Sequence, residues 1–231
     1  MTVDILVFGP HADDIEIGLG GTIARHVAEG HRVGLCDLTR AERSSNGTPE
    51  QRLVEAAHAA QVLGAAWRET LGWPDGGIDG SAPQIRAAVD LVRRARPRSI
   101  AIPYWVDRHP DHVAASHALT RAIFDSGLRR YETGVEPWKP EWVCHYFIND
   151  SASPSFVIDV SSYYDKKRAA LDCYVSQFSA PQTSTVATRL NAPTFRQLIE
   201  SRDAQFGALA GVAFAEGVIV REPLTRPGIL K

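Results

Sequence analysis

Four short apolar runs, Val3 to Phe8, Arg32 to Leu38, Trp67 to Leu71 and Ser99 to Pro103, alternate with helical patterns over Gly20 to Glu29, Pro49 to Leu63 and Pro83 to Arg94. This alternation constrains the fold more than any other feature. Runs too short to be helices, separated by segments of helical length, build strand-helix-strand units around a parallel sheet. Boundaries are signalled locally. Thr48 can cap the second helix, Pro49 suits its first position, and Gln51 completes a capping box. Ser81 and Gln84 repeat the device, and Pro97 disfavours helix at Arg96. A fourth helix, about Asp111 to Asp125, should follow the strand ending at Pro103. Beyond Gly127, Trp142 to Ile148, Phe156 to Val160 and Val212 to Val220 read as strands, and Tyr163 to Gln177 and Thr194 to Gln205 as helices. The Ser/Thr/Pro-rich stretch SAPQTSTVATRLNAP, Ser179 to Pro193, reads as a loop, of a length often used for lids or binding loops. The expectation is a three-layer α/β fold, a mostly parallel sheet with helices on both faces. With no internal repeat and no Gly/Ser linker, residues 1–231 read as one domain.

Composition narrows the function. At 44% hydrophobic and 23% charged residues the chain is of ordinary globular type, and a net charge of -2 argues against a nucleic-acid partner. No stretch is apolar over the roughly 18 residues a membrane span needs. Asp4 arrives before any leader-like apolar region, so the expected location is cytoplasmic. Cys36, Cys144 and Cys173 are odd in number and far apart, which reads as reduced thiols.

Directly behind the first apolar run stand His11, Asp13 and Asp14, and behind the fourth stands DRHPDH, Asp107 to His112. Loops at the carboxyl ends of parallel strands gather on one edge, where open α/β sheets bind ligands. Two like charges side by side at a strand end call for a cation, and imidazole with carboxylate suits zinc or a similar divalent ion. His11 and Asp14, three residues apart at a loop-to-helix transition, can turn toward one point, with His112 arriving from the opposing loop. Asp13 is then free to take a proton from water. A His-Asp pair alone more often makes a loop hydrogen bond or a cap; the second cluster favours the metal reading. GLGG, Gly18 to Gly21, lacks the dinucleotide spacing and reads as a close-packing helix segment. His26, His31, His58, His117 and His145 have no evident acidic or histidine partner at useful spacing and read as structural or surface residues.

With PHADDIE and RHPDH the sequence resembles the PIG-L/LmbE-like family of zinc-dependent N-acetylglucosaminide deacetylases. Within it the likeness is greatest to bacillithiol-pathway enzymes that deacetylate N-acetylglucosaminyl malate, through CDLTRAERSSNGTPEQRLVEAA, PYWVDRHPDH, YVSQF and FAEG. The resemblance covers essentially the whole chain and implies a Rossmann-like sheet. It implies Zn2+, or Fe2+ in the same place, held by His11, Asp14 and His112, with Asp13 as general base. His109 would be the companion acid, and Asp111 would orient it and raise its pKa. Arg52 and Arg108 would face an anionic aglycone on a small amino-sugar substrate, since guanidinium holds carboxylate bidentately. The alternative role for Asp111 is a helix cap, and for Arg52 a surface salt bridge. Relatives are often homo-oligomers. Some carry a tyrosine near the site where this chain has Phe195, leaving Tyr131, Tyr146 or a neighbour to substitute. Rivals are a deacylase of another amino-sugar glycoside such as a natural product, a phosphoesterase, and a noncatalytic sugar-binding module with a structural metal.

Overall fold

The computed structural model describes residues 1–179 and 186–225. Strands β1 (Ile5–Gly9), β2 (Val33–Thr39), β3 (Trp67–Trp73), β4 (Ser99–Pro103), β5 (Trp142–Tyr146), β6 (Phe156–Asp159) and β7 (Ala215–Ile219) form one sheet in the order β3, β2, β1, β4, β5, β7, β6. The first five pair in parallel, and β7 runs antiparallel to both β5 and β6. Side chains alternate across the pleat. Val7, Val33, Leu35 and Ala101 point into one core with α1 (Asp14–Ala28), α2 (Pro49–Leu63) and α5 (Tyr164–Asp172). Leu6, Phe8, Cys36, Leu38, Ile100 and Ile102 point into the other, with α3 (Ala82–Ala95) and α4 (Pro110–Ser126). The α/β sandwich with helices on both faces is as expected. Short α6 (Val175–Phe178) and long α7 (Pro193–Ala210) complete it. Among the described residues no helix is long and apolar enough to cross a membrane.

Elements with explicit punctuation fall where the sequence puts them, although the expected Ser81–Gln84 capping box does not form: the Ser81 side chain caps nothing, and Gln84 Oε1 accepts from Asp79 N and Gly80 N at 3.1 and 3.0 Å. Thr48 accepts from Gln51 N at 3.2 Å and α2 has the expected bounds, as does β4. Two helix boundaries also need correction. The first helix begins at Asp14, not Gly20, because the glycine run is inside it: a side-chain carbon at Gly18 would stand 2.1 Å from the Tyr146 ring, and one at Gly21 2.7 Å from Val160. The helix kinks at Leu19 (φ -134°), and the Glu216 carboxylate accepts from Gly21 N and Thr22 N at 3.0 and 2.7 Å. The helix expected over Tyr163 to Gln177 is broken at Cys173 and Tyr174. The proposed lid stretch lies partly outside the described residues, at 180–185. Cys36, Cys144 and Cys173 are free.

Candidate metal centre and its cleft

The strand order turns back between β1 and β4, and both loops that carry the His/Asp motifs leave the carboxyl ends of those two strands. After β1 the chain closes a tight turn, in which Asp14 N donates to His11 O and His11 N to Asp14 Oδ2 (2.9 Å). Asp13, at the helix entry, is held at φ 116°, a left-handed conformation that Asp tolerates better than most residues. After β4, His109 caps α4, its Nδ1 accepting from Asp111 N at 3.2 Å, and Pro110 takes the first helical position. His112 therefore sits in the first turn, facing α1.

Asp14 Oδ2 is the meeting point. It lies 3.2 Å from His11 Nδ1 and 3.2 Å from His112 Nε2. A tetrahedral zinc bound at 2.0–2.1 Å separates neighbouring donors by about 3.3 Å, so these spacings fit ligands of one ion. The remaining ring nitrogens are spoken for. His11 Nε2 faces Asp75 Oδ1 at 3.2 Å and Asp111 Oδ2 at 3.3 Å, and His112 Nδ1 faces Asp107 Oδ1 at 3.1 Å. Carboxylates behind a ligating imidazole fix its tautomer and leave the other nitrogen for the metal. The charge also fits: five carboxyl groups (Asp13, Asp14, Asp75, Asp107, Asp111) surround Arg52, His11 and His112, an excess of anions even with both imidazoles protonated. Without an ion, the carboxylates compensate. Burial alone would lower the His112 pKa, but Asp14 and Asp107 outweigh it and raise it to about 9. His11 is likewise raised against burial by Asp111, Asp14 and Asp75. Asp14 itself is lowered in spite of burial by the two imidazoles.

Asp13 is buried, and burial pushes its pKa up to about 7, with Arg52 pulling the other way. The Arg52 guanidinium lies 3.1 Å from Asp13 Oδ2 and donates to Ala12 O. At 2% exposure Arg52 is inside the wall of the cleft, so it is a buried partner of Asp13 and not the surface ion pair weighed as its alternative. Arg108 is exposed and lines the cleft. The Asp111 carboxylate, expected on His109, lies instead on His11 and accepts from Gly76 N at 2.8 Å. His109 is correspondingly not raised: burial and the neighbouring His112 and His11 hold it below the usual histidine range. Its ring stacks on His112 with centroids 4.7 Å apart. Because Nδ1 accepts from Asp111 N, the neutral ring carries its proton on Nε2.

The cleft over these residues has a volume of about 540 Å³. Its apolar patches are Ile17, Ile148, Leu190 and Phe195; its polar rim includes Arg43, Ser44, Ser45, Asn149 and Arg189. No tyrosine lines it among the described residues. Tyr146 instead donates to Phe8 O at 2.8 Å, and Tyr131 lies under Arg93. Sequence reasoning missed Asp75 and Asn149, and gave Asp107 no role within DRHPDH. Asp75 had a usable signal, because WPDGG ends β3 on the same sheet edge. Asn149 Nδ2 donates to Asp107 Oδ1 at 3.0 Å, a contact no local pattern announces.

Residues 6–123 match the family described as GlcNAc-PI de-N-acetylase, PIG-L. The chain belongs to the PIG-L family. It is 30% identical to 1D-myo-inositol 2-acetamido-2-deoxy-alpha-D-glucopyranoside deacetylase 2 of Saccharopolyspora erythraea, over 80% of this chain and 87% of that one. A relative of different chemistry, the 4-oxalmesaconate hydratase of Pseudomonas putida, is 26% identical over 74% and 73% of the two chains. The crystal structure of the conserved protein TT1542 from Thermus thermophilus superposes with a TM-score of 0.90 at 36% identity, covering 100% of both chains.

Proposed function

We propose that this PIG-L family member is a metal-dependent N-deacetylase of an N-acetylglucosamine conjugate, with N-acetylglucosaminyl malate as the preferred substrate. The observation that carries the reading is the convergence of His11, Asp14 and His112 at one point beside a buried, spare Asp13. Those three residues would hold the divalent ion, Zn2+ or Fe2+, which supplies Lewis acidity toward the acetamide carbonyl. Asp13, at a pKa of about 7 without the ion, is matched to proton abstraction from water near neutral pH; a nearby cation lowers it and keeps it ionised. His109 presents Nε2–H toward the cleft to stabilise the developing oxyanion, and the proton that Asp13 takes from water is the one delivered to the departing amine. Asp111 acts through His11, and Asp107 through His112, as positioning groups. Arg108 offers an anion contact at the rim, where the malate carboxylates of the preferred substrate would lie.

The S. erythraea relative, named for deacetylation of a 2-acetamido glucoside, supports the sugar class. The test is acetate release by purified protein from N-acetylglucosaminyl malate and from a neutral N-acetylglucosaminide, with and without chelator. Chelator-sensitive release, faster on the malate conjugate, is expected; equal rates would replace malate with another aglycone. His109→Ala should lower kcat on the order of 100-fold with the ion still bound. The hydratase relative supplies the second reading, in which the same residues add water to an alkene. No acetate release, together with hydration of 4-oxalmesaconate, would establish it.

A further inference from the structure

At the far end of α1 from Asp14, three more donors converge. The helix ends at Ala28, Gly30 takes a left-handed φ of 88°, and the chain turns back so that His31 N donates to His26 O at 3.0 Å. The reversal brings the His31 ring to a centroid distance of 5.6 Å from that of His26. Glu29, three residues after His26, sets its Oε2 3.4 Å from His26 Nδ1. One donor atom from each of His26, Glu29 and His31 lies within 4.8 Å of the others. The sequence reading leaves His26 and His31 without partners, because neither HxxE nor the fold-back through Gly30 places a pair on a strand edge.

We infer that His26, Glu29 and His31 form a second, peripheral site for a transition-metal dication such as Zn2+, Ni2+ or Cu2+. Two imidazoles and one carboxylate suit these ions and disfavour Mg2+ and Ca2+, which take oxygen donors. The setting favours a cation, since a helix C-terminus carries partial negative charge. Arg25 does not block the site. Its Nε holds the other Glu29 oxygen, Oε1, at 2.9 Å, while its Nη1 reaches away to Asp159 O at 2.8 Å. The contact pins the carboxylate and leaves Oε2 toward the imidazoles. Three protein donors leave a tetrahedral ion one place for water or for a donor from another molecule.

The inference does not depend on the deacetylase reading, and its test keeps the two apart. Ion-free full-length protein is titrated with Zn2+ by calorimetry, and bound metal is counted after gel filtration. His31→Ala and His26→Ala should each bind one Zn2+ per chain fewer than wild type. His31→Ala should retain wild-type acetate release at saturating metal. His11→Ala should keep one Zn2+ per chain, removed by adding His31→Ala. Cu2+ added to His11→Ala should give an electron-spin-resonance signal with nitrogen coupling from two imidazoles, reduced to one in the His31→Ala background. Unchanged stoichiometry in His31→Ala, or a Cu2+ signal without nitrogen coupling, overturns the site.

Discussion

Two regions of this molecule bury ionised side chains, and they balance their charges differently. Behind α1, Lys167 Nζ lies 2.6 Å from both Asp203 and Glu216, and Arg202 Nε donates to Asp203 at 3.0 Å. Tyr164 and the backbone N–H groups of Gly21 and Thr22 use the remaining lone pairs, so two cations meet two anions with every group bonded. In the floor of the cleft, five carboxyl groups meet one buried guanidinium and two imidazoles, with Arg43, Arg108 and Arg189 out on the rim, and Asp13 Oδ2 has no hydrogen bond among the described residues. Both regions are desolvated; only one balances its buried charges by itself. Buried charge that the protein does not neutralise marks the place where something else must. The balanced cluster serves the other: Arg202 also donates to Ile17 O and Ile148 O, the backbone of two residues that wall the cleft.

Removing a cation from the balanced cluster should have the largest effect. Lys167→Met leaves Asp203 and Glu216 facing each other at 0% exposure, and losing one partner of a buried ionic group costs about 3–5 kcal/mol. Urea denaturation should show that loss, and adding Glu216→Gln should recover part of it. An unchanged midpoint in Lys167→Met would mean that the cluster is no more than incidental to stability.

The same contrast explains how much was legible in the sequence. The parallel half of the sheet could be read from alternation, and α2 from Thr48, Pro49 and Gln51, because propensity and capping are local. The convergence of the two His/Asp motifs was legible because topology alone carries Gly9 and Pro103 to one edge. The balanced cluster was not, since Lys167, Asp203 and Glu216 come from three separate elements with no spacing in common. Nor was the early start of α1, whose glycines are decided by the Tyr146 ring and the Glu216 carboxylate. The partner of Asp111 failed for a related reason: neighbours in HPDH share a helix turn, yet the turn aims this carboxylate across the cleft at His11, not along the chain at His109.

In the unbalanced region, removing one carboxylate should cost ion affinity more than it costs the fold. Asp107→Asn keeps the shape of the side chain but replaces the carboxylate behind His112 with an amide. Stability of the ion-free protein should fall modestly, because the carboxylate holds the protonated His112 and accepts from His109 N and Asn149 N. Ion affinity should drop about 10–100-fold, the usual cost of losing a carboxylate behind a ligating histidine. Zinc competition against a chromophoric chelator reads the affinity, and thermal melts read the stability. A loss of stability without a loss of affinity would place Asp107 with the structural group.

The smallest effect, and the most diagnostic of an absent positive charge, is a pH dependence confined to the ion-free protein. The His112 pKa rises from 6.5 to about 9 on folding, because Asp14 and Asp107 outweigh burial. A raised pKa means that the folded state binds the proton more tightly than the unfolded chain does. The stabilisation is fully present below pH 6.5 and is lost as pH climbs through about 9. When an ion occupies the site, the imidazole must already be neutral, so that loss disappears and ion binding strengthens as pH rises. The gap in Tm between ion-loaded and chelated protein should therefore widen steadily from pH 6.5 to 9. His112→Asn should reduce the pH dependence in the chelated protein to the part that His11 carries, while Lys167→Met leaves its slope intact, because the balanced cluster exchanges no proton with that imidazole. A gap that stays constant across this range would show that His112 carries no proton in the ion-free fold, and that the excess carboxylates are neutralised elsewhere.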